Sequence, residues 1–405
     1  MSAIRLAEYG SQTAEELTRD DLGFLTSRYR QAVVATVDPV SLLPRLTASS
    51  WVGVIVLPSG CEIRITTKVP VANLFYMLAV VNDWQFRSED VAGYATEATI
   101  LYVVARYFRD QLLALDGRGL YRAYTDVSDN LAAVRGRIDL PHDLRQNLIE
   151  RERTACIFSE FTRDIRENQF LRQTAHLLSE CGLVDDFAPD FARIDYWWSD
   201  VRRTSHSPDM ATSFTYHRLN EHYRSVHQLA ALLLRWLSPD GSDGDRRFPA
   251  FLVNMNDLYE KFIRQSIVDR ASGTMRVRKP RRLPLDRASS AHIQPDLLFE
   301  HHSRPILVGD CKYKRTGVKT DSDSDLYQMV AYCTALGLET GVLVYPRHLA
   351  DVNDELVLRG SPIRLLRMTV DLGLPLSELR SETNRLCDDL LGSACVAPPT
   401  VELLP

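Results

Sequence analysis

Residues 306–312 read ILVGDCK, an unbroken apolar run that turns within a few positions into an acid and an amine. A strand buried on both faces needs such a run, and side chains two apart share a face. Val308, Asp310 and Lys312 therefore project together, carrying charge from the core to the rim of a sheet. Upstream, residues 292–299 read as a second strand, and the HHSR turn signal near Ser303 joins the two as a hairpin. A loop with an odd number of residues about that centre sets Asp296 directly across from Asp310, whereas an even loop sends them to opposite faces. Pro295 suits the start of a strand or a bulge.

Directly opposed carboxylates would stand roughly 5 Å apart and repel each other. A divalent cation held between them is the usual compensation, and hard oxygen ligands point to Mg²⁺, with Mn²⁺ as a substitute. With Lys312 beside the pair, the arrangement suits phosphodiester hydrolysis: the ion polarises the phosphate and acidifies water, while the amine orients the nucleophile. The plain alternative is a salt bridge between these acids and Lys312 or Lys314. Glu260 lies on a preceding helix in line with Asn256 and Arg264, as a helper acid or a simple i, i+4 ion pair. Gln328 and Tyr332 share a helix face, one turn after Asp325. Arg276, Arg278, Lys279, Arg281, Arg282 and Arg287 form a basic run suited to the DNA backbone or to guarding an edge strand, and Lys314, Gln328 and Tyr332 are further candidates for DNA contact.

Around this centre the expected order is a helix over 251–270, a basic strand over 275–283, the hairpin, a helix over 325–337 and a strand over 341–345. Asp323 or Ser324 is expected to cap the second of these helices. That αβββαβ order describes a small α/β domain with a mixed sheet. Earlier, 51–57 and 61–66 flank Pro58-Ser59-Gly60 as a hairpin, and helices follow over 71–81 and 90–115, the latter stopped by Gly117 and Gly119. Helical periodicity dominates 163–182 and 216–237. The run SPDGSDGD at 238–245 marks a boundary. The whole reads as a multidomain α+β or α/β chain: mixed α/β over 1–150, helical over 151–245 and the site-bearing domain over 246–405.

A net charge of −5 restricts any nucleic-acid contact to a local basic patch. The seven cysteines form no C-x-x-C pair, which argues against structural zinc, disulfides or an iron–sulfur cluster. No signal peptide or membrane span is expected, and the cytoplasm is the expected compartment. No G-x-x-x-x-G-K-[ST], H-E-x-x-H or G-x-S-x-G motif occurs, so a nucleotide would have to be bound by a partner.

Pro295-Asp296, Asp310-Cys311-Lys312 and the Gln328/Tyr332 helix together resemble the PD-(D/E)xK nuclease superfamily. Most of the chain is similar to the McrC family, the nuclease subunit of McrBC-type modification-dependent restriction systems. That likeness is carried by GDCKYKR at 309–315, DLYQMVAY at 325–332, IRITTKVPVANLFYML at 63–78, VRGRIDLP at 134–141 and FSEFTRDIRENQFL at 158–171. The resemblance implies a restriction-endonuclease-like C-terminal domain in which Asp296 and Asp310 bind Mg²⁺, Lys312 assists the attacking water and Glu260 is the helix acid. It also implies an N-terminal region docking on a hexameric AAA+ GTPase of the McrB type, which alone binds GTP and recognises modified bases such as methylcytosine in DNA. With one site per chain, cutting both strands is compatible with dimerisation of whole complexes. Two other readings are a non-catalytic assembly factor that stimulates the GTPase and a stand-alone DNA repair nuclease.

Overall fold

The computed structural model describes residues 3–84, 100–149, 152–237, 250–286, 288–314 and 319–396. Contacts gather the chain into two compact units, one of Met1–Val103 with Ser242–Pro405 and one of Val104–Gly241. This division differs from the consecutive segments 1–150, 151–245 and 246–405, because strands from the two ends of the chain pair in one sheet. The glycine- and aspartate-rich run at 238–245 lies outside the described residues.

In the first unit the strands are β1 (Ala3–Ala7), β2 (Ser11–Thr13), β3 (Val33–Val37), β4 (Pro44–Ala48), β5 (Trp51–Val56) and β6 (Glu62–Thr66). The hairpin expected at 51–66 is β5 and β6, paired antiparallel with Gly53 opposite Ile65. Ile63 and Ile65 are buried while Arg64 is exposed, the wet face that their alternation predicts. β1 joins the other side of β6 in parallel. The helix Val71–Val81 stands where its periodicity places it. Its buried Asn73 amide donates to the carbonyls of Leu372 (2.8 Å) and Leu374 (2.7 Å), tying it to the C-terminal part of the same unit.

The helix Ile100–Arg118 includes Gly117 and ends before Gly119, so the second glycine marks the stop. Its expected beginning at 90–99 lies outside the described residues. In the second unit β7 (Ala123–Leu131), β8 (Arg137–Ile138) and β9 (Thr154–Thr162) form an antiparallel sheet in the order β7-β9-β8. The helices Arg166–Glu180, Ala188–Trp197 and Arg224–Leu237 supply the helical character expected here, with Phe170, Phe191, Leu229 and Leu233 fully buried.

The remaining strands are β10 (Ala250–Asn254), β11 (Met275–Arg278), β12 (Leu283–Pro284), β13 (His292–Ile293), β14 (Leu297–His301), β15 (Arg304–Cys311), β16 (Thr340–Pro346), β17 (Asp354–Val357) and β18 (Arg364–Val370). The segment from Phe251 is not helical, as expected, but a strand. β10 pairs with β5 and buries Phe251 and Val253, so long-range pairing overrides the local reading. The helix Met255–Arg270 follows at once, its first turn capped by the Asn254 side chain, which accepts from the amides of Asn256 (3.1 Å) and Asp257 (3.4 Å). The expected basic strand is shortened to β11.

β11-β14-β15-β16-β18-β17 form a mixed six-stranded sheet. β15 and β16 run parallel, connected by the helix Lys319–Leu336. Counted within this sheet, the helix–three strands–helix–strand order follows the expectation, with the separate β12–β13 pair inserted after β11, and β17, β18 and the helix Leu376–Val396 extend it. Asp323 and Ser324 lie inside the connecting helix and do not cap it, since it begins at Lys319. Val308, Leu343 and Leu365 pack in one core with Met329 and Cys333 of that helix. Among the described residues no helix is long and apolar enough to cross a membrane.

Candidate active site

The hairpin loop is even. His301 pairs with Arg304, and the two residues between, His302 (φ 49°) and Ser303 (φ 65°), are both left-handed, as tight two-residue hairpin turns require. Alone this would separate the two acids. A β-bulge restores them: Glu300 pairs with Pro305 but Phe299 with Leu307, so Ile306 is the extra residue. Beyond the bulge Leu297 stands opposite Gly309, and the same register continued one step past the end of β14 sets Asp296 against Asp310. The Asp296 amide donates to Asp310 Oδ1 (3.3 Å), and the Cys311 amide donates to Asp296 Oδ2 (3.0 Å).

Asp310 is buried, at the end of the run from Leu307 that is buried throughout. Burial and then the Asp310 charge push the Asp296 carboxyl above its ordinary range, although the Cys311 amide and Lys279 pull the other way. The acids are thus close enough to feel each other. Lys312 Nζ lies 2.5 Å from Asp310 Oδ2 and 3.7 Å from Asp325 Oδ1, and donates to Gln328 Oε1 at 2.7 Å. Burial opposes its charge, but Asp310, Asp325 and Asp296 together raise its pKa, so it remains an ammonium at neutral pH. The salt bridge of the plain reading is therefore present at the same place as the acid pair.

Gln328 and Tyr332 extend the chain of contacts. The Gln328 amide donates to the Tyr332 hydroxyl at 2.7 Å. Burial and the charges of Asp310 and Asp296 raise the Tyr332 phenol to about 12, which keeps it neutral. Asp325 is a site residue that its sequence position did not reveal. Almost fully buried, it accepts from Lys314 (2.8 Å) and from the Tyr345 hydroxyl (3.3 Å).

On the other side Glu260 forms the ion pair with Arg264 that its spacing allows, and its second oxygen takes Lys279 Nζ at 2.6 Å. Lys279 Nζ also lies 3.1 Å from Asp296 Oδ1. Glu260 therefore reaches the acid pair through an amine, and among the described residues no three His, Cys, Asp or Glu side chains gather as a ready ion cage. The Asp296–Asp310 pair still suits Mg²⁺, which is commonly held by one or two carboxylates with water and substrate phosphate.

The expected basic face divides. Arg278 pairs with Glu300 at 2.6 Å, while Lys279 and Lys314 turn towards acids. Arg276, Arg281 and Arg282 are exposed, and Arg287 lies outside the described residues.

Behind the site, the Tyr313 hydroxyl donates to Glu8 Oε2 at 3.1 Å, and the Tyr9 hydroxyl donates to the Tyr313 carbonyl at 2.8 Å. The N-terminal strands thereby brace the end of β15. Burial raises the Glu8 carboxyl to about 7 against its bonds to Tyr313 and Thr67 and the charge of Lys68. An acid whose folded pKa lies above its unfolded value weakens the fold as pH rises. The loss begins near the unfolded value and is complete above about 7. Glu8→Gln should thus stabilise the protein at pH 8 by up to about 3 kcal/mol and change little at pH 4, read by urea unfolding. Equal effects at both pH values would contradict this account.

A mixed α/β protein with an opposed carboxylate pair and an amine at one sheet rim is the class that fold and site define. The family model of the McrBC 5-methylcytosine restriction system component matches residues 46–346, and the chain belongs to that family. It is 23% identical over 347 residues to the type IV methyl-directed restriction enzyme EcoKMcrBC of Escherichia coli (strain K12), covering 80% of this chain and 98% of that protein. A chain of the refined half-complex from the tetradecameric assembly of Thermococcus gammatolerans McrB AAA+ hexamers with bound McrC shares the fold. The TM-score is 0.67 at 16% identity, over 96% of this chain and 100% of that one.

Proposed function

We propose that this chain is the DNA-cutting subunit of a modification-dependent restriction system, a metal-dependent endonuclease of PD-(D/E)xK type acting with an AAA+ GTPase of the McrB type. The observation that carries the reading is the opposed pair of half-buried Asp296 and buried Asp310, with Lys312 held beside it by Asp310 and Gln328. Mg²⁺, with Mn²⁺ as a substitute, would be held by Asp296 and Asp310 and would supply Lewis acidity at the scissile phosphate and a more acidic water. Lys312 stays protonated and donates to the incoming water or to the phosphate, stabilising charge as it develops. Gln328 fixes the direction of that ammonium, and Tyr332 fixes Gln328. Glu260 completes the acid set on the side of the Met255–Arg270 helix. Among the described residues of the basic run, Arg276, Arg281 and Arg282 are exposed and would face a DNA backbone.

The family, together with a relative that is itself a restriction enzyme, supports the partner assignment. The solved assembly of similar fold, in which McrC is bound to McrB hexamers, supports it further. GTP is then bound by the partner hexamer and not by this chain. In the second unit Tyr124, Leu144, Leu148 and Phe161 are apolar yet largely exposed, as a docking surface requires. The test is reconstitution with the AAA+ partner, GTP and Mg²⁺ on methylated and unmethylated DNA. Cleavage confined to methylated DNA and dependent on both partner and metal is expected. GTPase stimulation without cleavage would reduce the chain to an assembly factor, and cleavage without the motor would make it a stand-alone nuclease.

A further inference from the structure

Lys279 leaves the sheet at the end of β11, where Arg278 is paired in register with Leu298 and its guanidinium is fixed on Glu300. Arg281 and Arg282 that follow are exposed, yet the Lys279 side chain turns inward. Its ammonium lies 2.6 Å from Glu260 Oε2 and 3.1 Å from Asp296 Oδ1. With a carboxylate on either side, it is held there as a counter-charge between two acids. An ammonium on a flexible four-carbon stem is a mobile point charge. Here it links the acid of the Met255–Arg270 helix to the acid of the hairpin, as a metal ion shared by them would.

We propose that Lys279 is a tethered counter-ion that competes with the divalent cation for Asp296 and Glu260 and moves to substrate phosphate when that cation binds. The inference rests on the nuclease reading of the same site. It separates Lys279 from Lys312, which is anchored by Gln328 as well as by Asp310 and is positioned to stay. It also explains how Glu260, held by Arg264 and Lys279, becomes available only when the ion enters. An acid cluster with its own internal cation would then fill with metal most readily when DNA is present to receive the lysine. That ordering disfavours cutting in the absence of a docked substrate.

The test is Mn²⁺ binding by the full chain at pH 8 without DNA, followed through the loss of the free-ion paramagnetic resonance signal. Lys279→Met removes the charge while keeping the stem. It should bind Mn²⁺ about tenfold more tightly than the parent, the order expected when one like charge leaves the vicinity of a divalent ion. Lys279→Arg keeps the charge and should stay within about twofold of the parent. Circular dichroism checks that both variants fold. If Lys279→Met binds the ion equally or more weakly, while Asp310→Ala abolishes binding, the counter-ion proposal is overturned and the nuclease reading stands. If the parent and Asp310→Ala bind Mn²⁺ alike, both fall together.

Discussion

Asp310→Ala is expected to lower metal-dependent DNA cleavage by about a thousandfold or more, roughly 4 kcal/mol of transition-state stabilisation. The residue has two tasks at one atom group. It is half of the carboxylate pair available to a hard cation, and its Oδ2 lies 2.5 Å from Lys312 Nζ. Removing it leaves Asp296 without its partner carboxylate and releases the ammonium towards Asp325, whose Oδ1 already lies 3.7 Å away. The metal and the orienting amine are therefore lost by one substitution. The fold should survive, because Lys312 keeps Gln328 and Asp325 as partners and is not left as an isolated buried charge. Asp310→Asn preserves the volume and should be equally inactive, which separates loss of charge from loss of packing. Stimulation of the partner's GTPase serves as the check on assembly. Parental cleavage by Asp310→Asn would remove the site from the mechanism.

The strand carrying this acid was legible because burial writes a long signal: Leu307, Val308 and Gly309 are all buried, and Asp310 follows that apolar run at once. The β5–β6 hairpin and the Val71–Val81 helix were legible for the same reason, one periodicity dominating each. Loop parity was not. The residues His302 and Ser303 adopt left-handed backbone without the Asn or Gly that usually announces it. Ile306 looks like any strand residue although it is the bulge. Two unmarked departures cancelled, so the facing of Asp296 and Asp310 came out as expected through a different route. The destination of Lys279 was hidden because a basic run reads as solvated until the acids of a distant helix are in place. β10 was misread because its pairing partner lies far away in β5.

That pairing underlies the largest expected change in stability, produced by Gly53→Ala. Gly53 has φ +141°, a conformation strained for any L side chain, and an added Cβ would lie 1.9 Å from the Phe251 carbonyl oxygen and 2.9 Å from its carbon. Both atoms belong to backbone, so no rotamer change relieves the overlap. β5 lies between β6 and β10 in the sheet, and either its ladder to β10 or the Gly53 backbone must shift. A loss of about 3 kcal/mol or more is expected in urea unfolding, combining backbone strain with a broken strand pair. Gly60→Ala is the internal control: its φ is +82°, yet nothing lies within 4 Å of the added carbon, so only the conformational part remains, about 1 kcal/mol. Equal losses in the two variants would show that β10 does not press on Gly53. The consequence reaches the site, because β10 passes through Asn254 directly into the helix that carries Glu260. A displaced β10 shifts the start of that helix, and with it the acid that Lys279 holds. Gly53→Ala should therefore weaken Mn²⁺ binding even at temperatures where the chain remains folded.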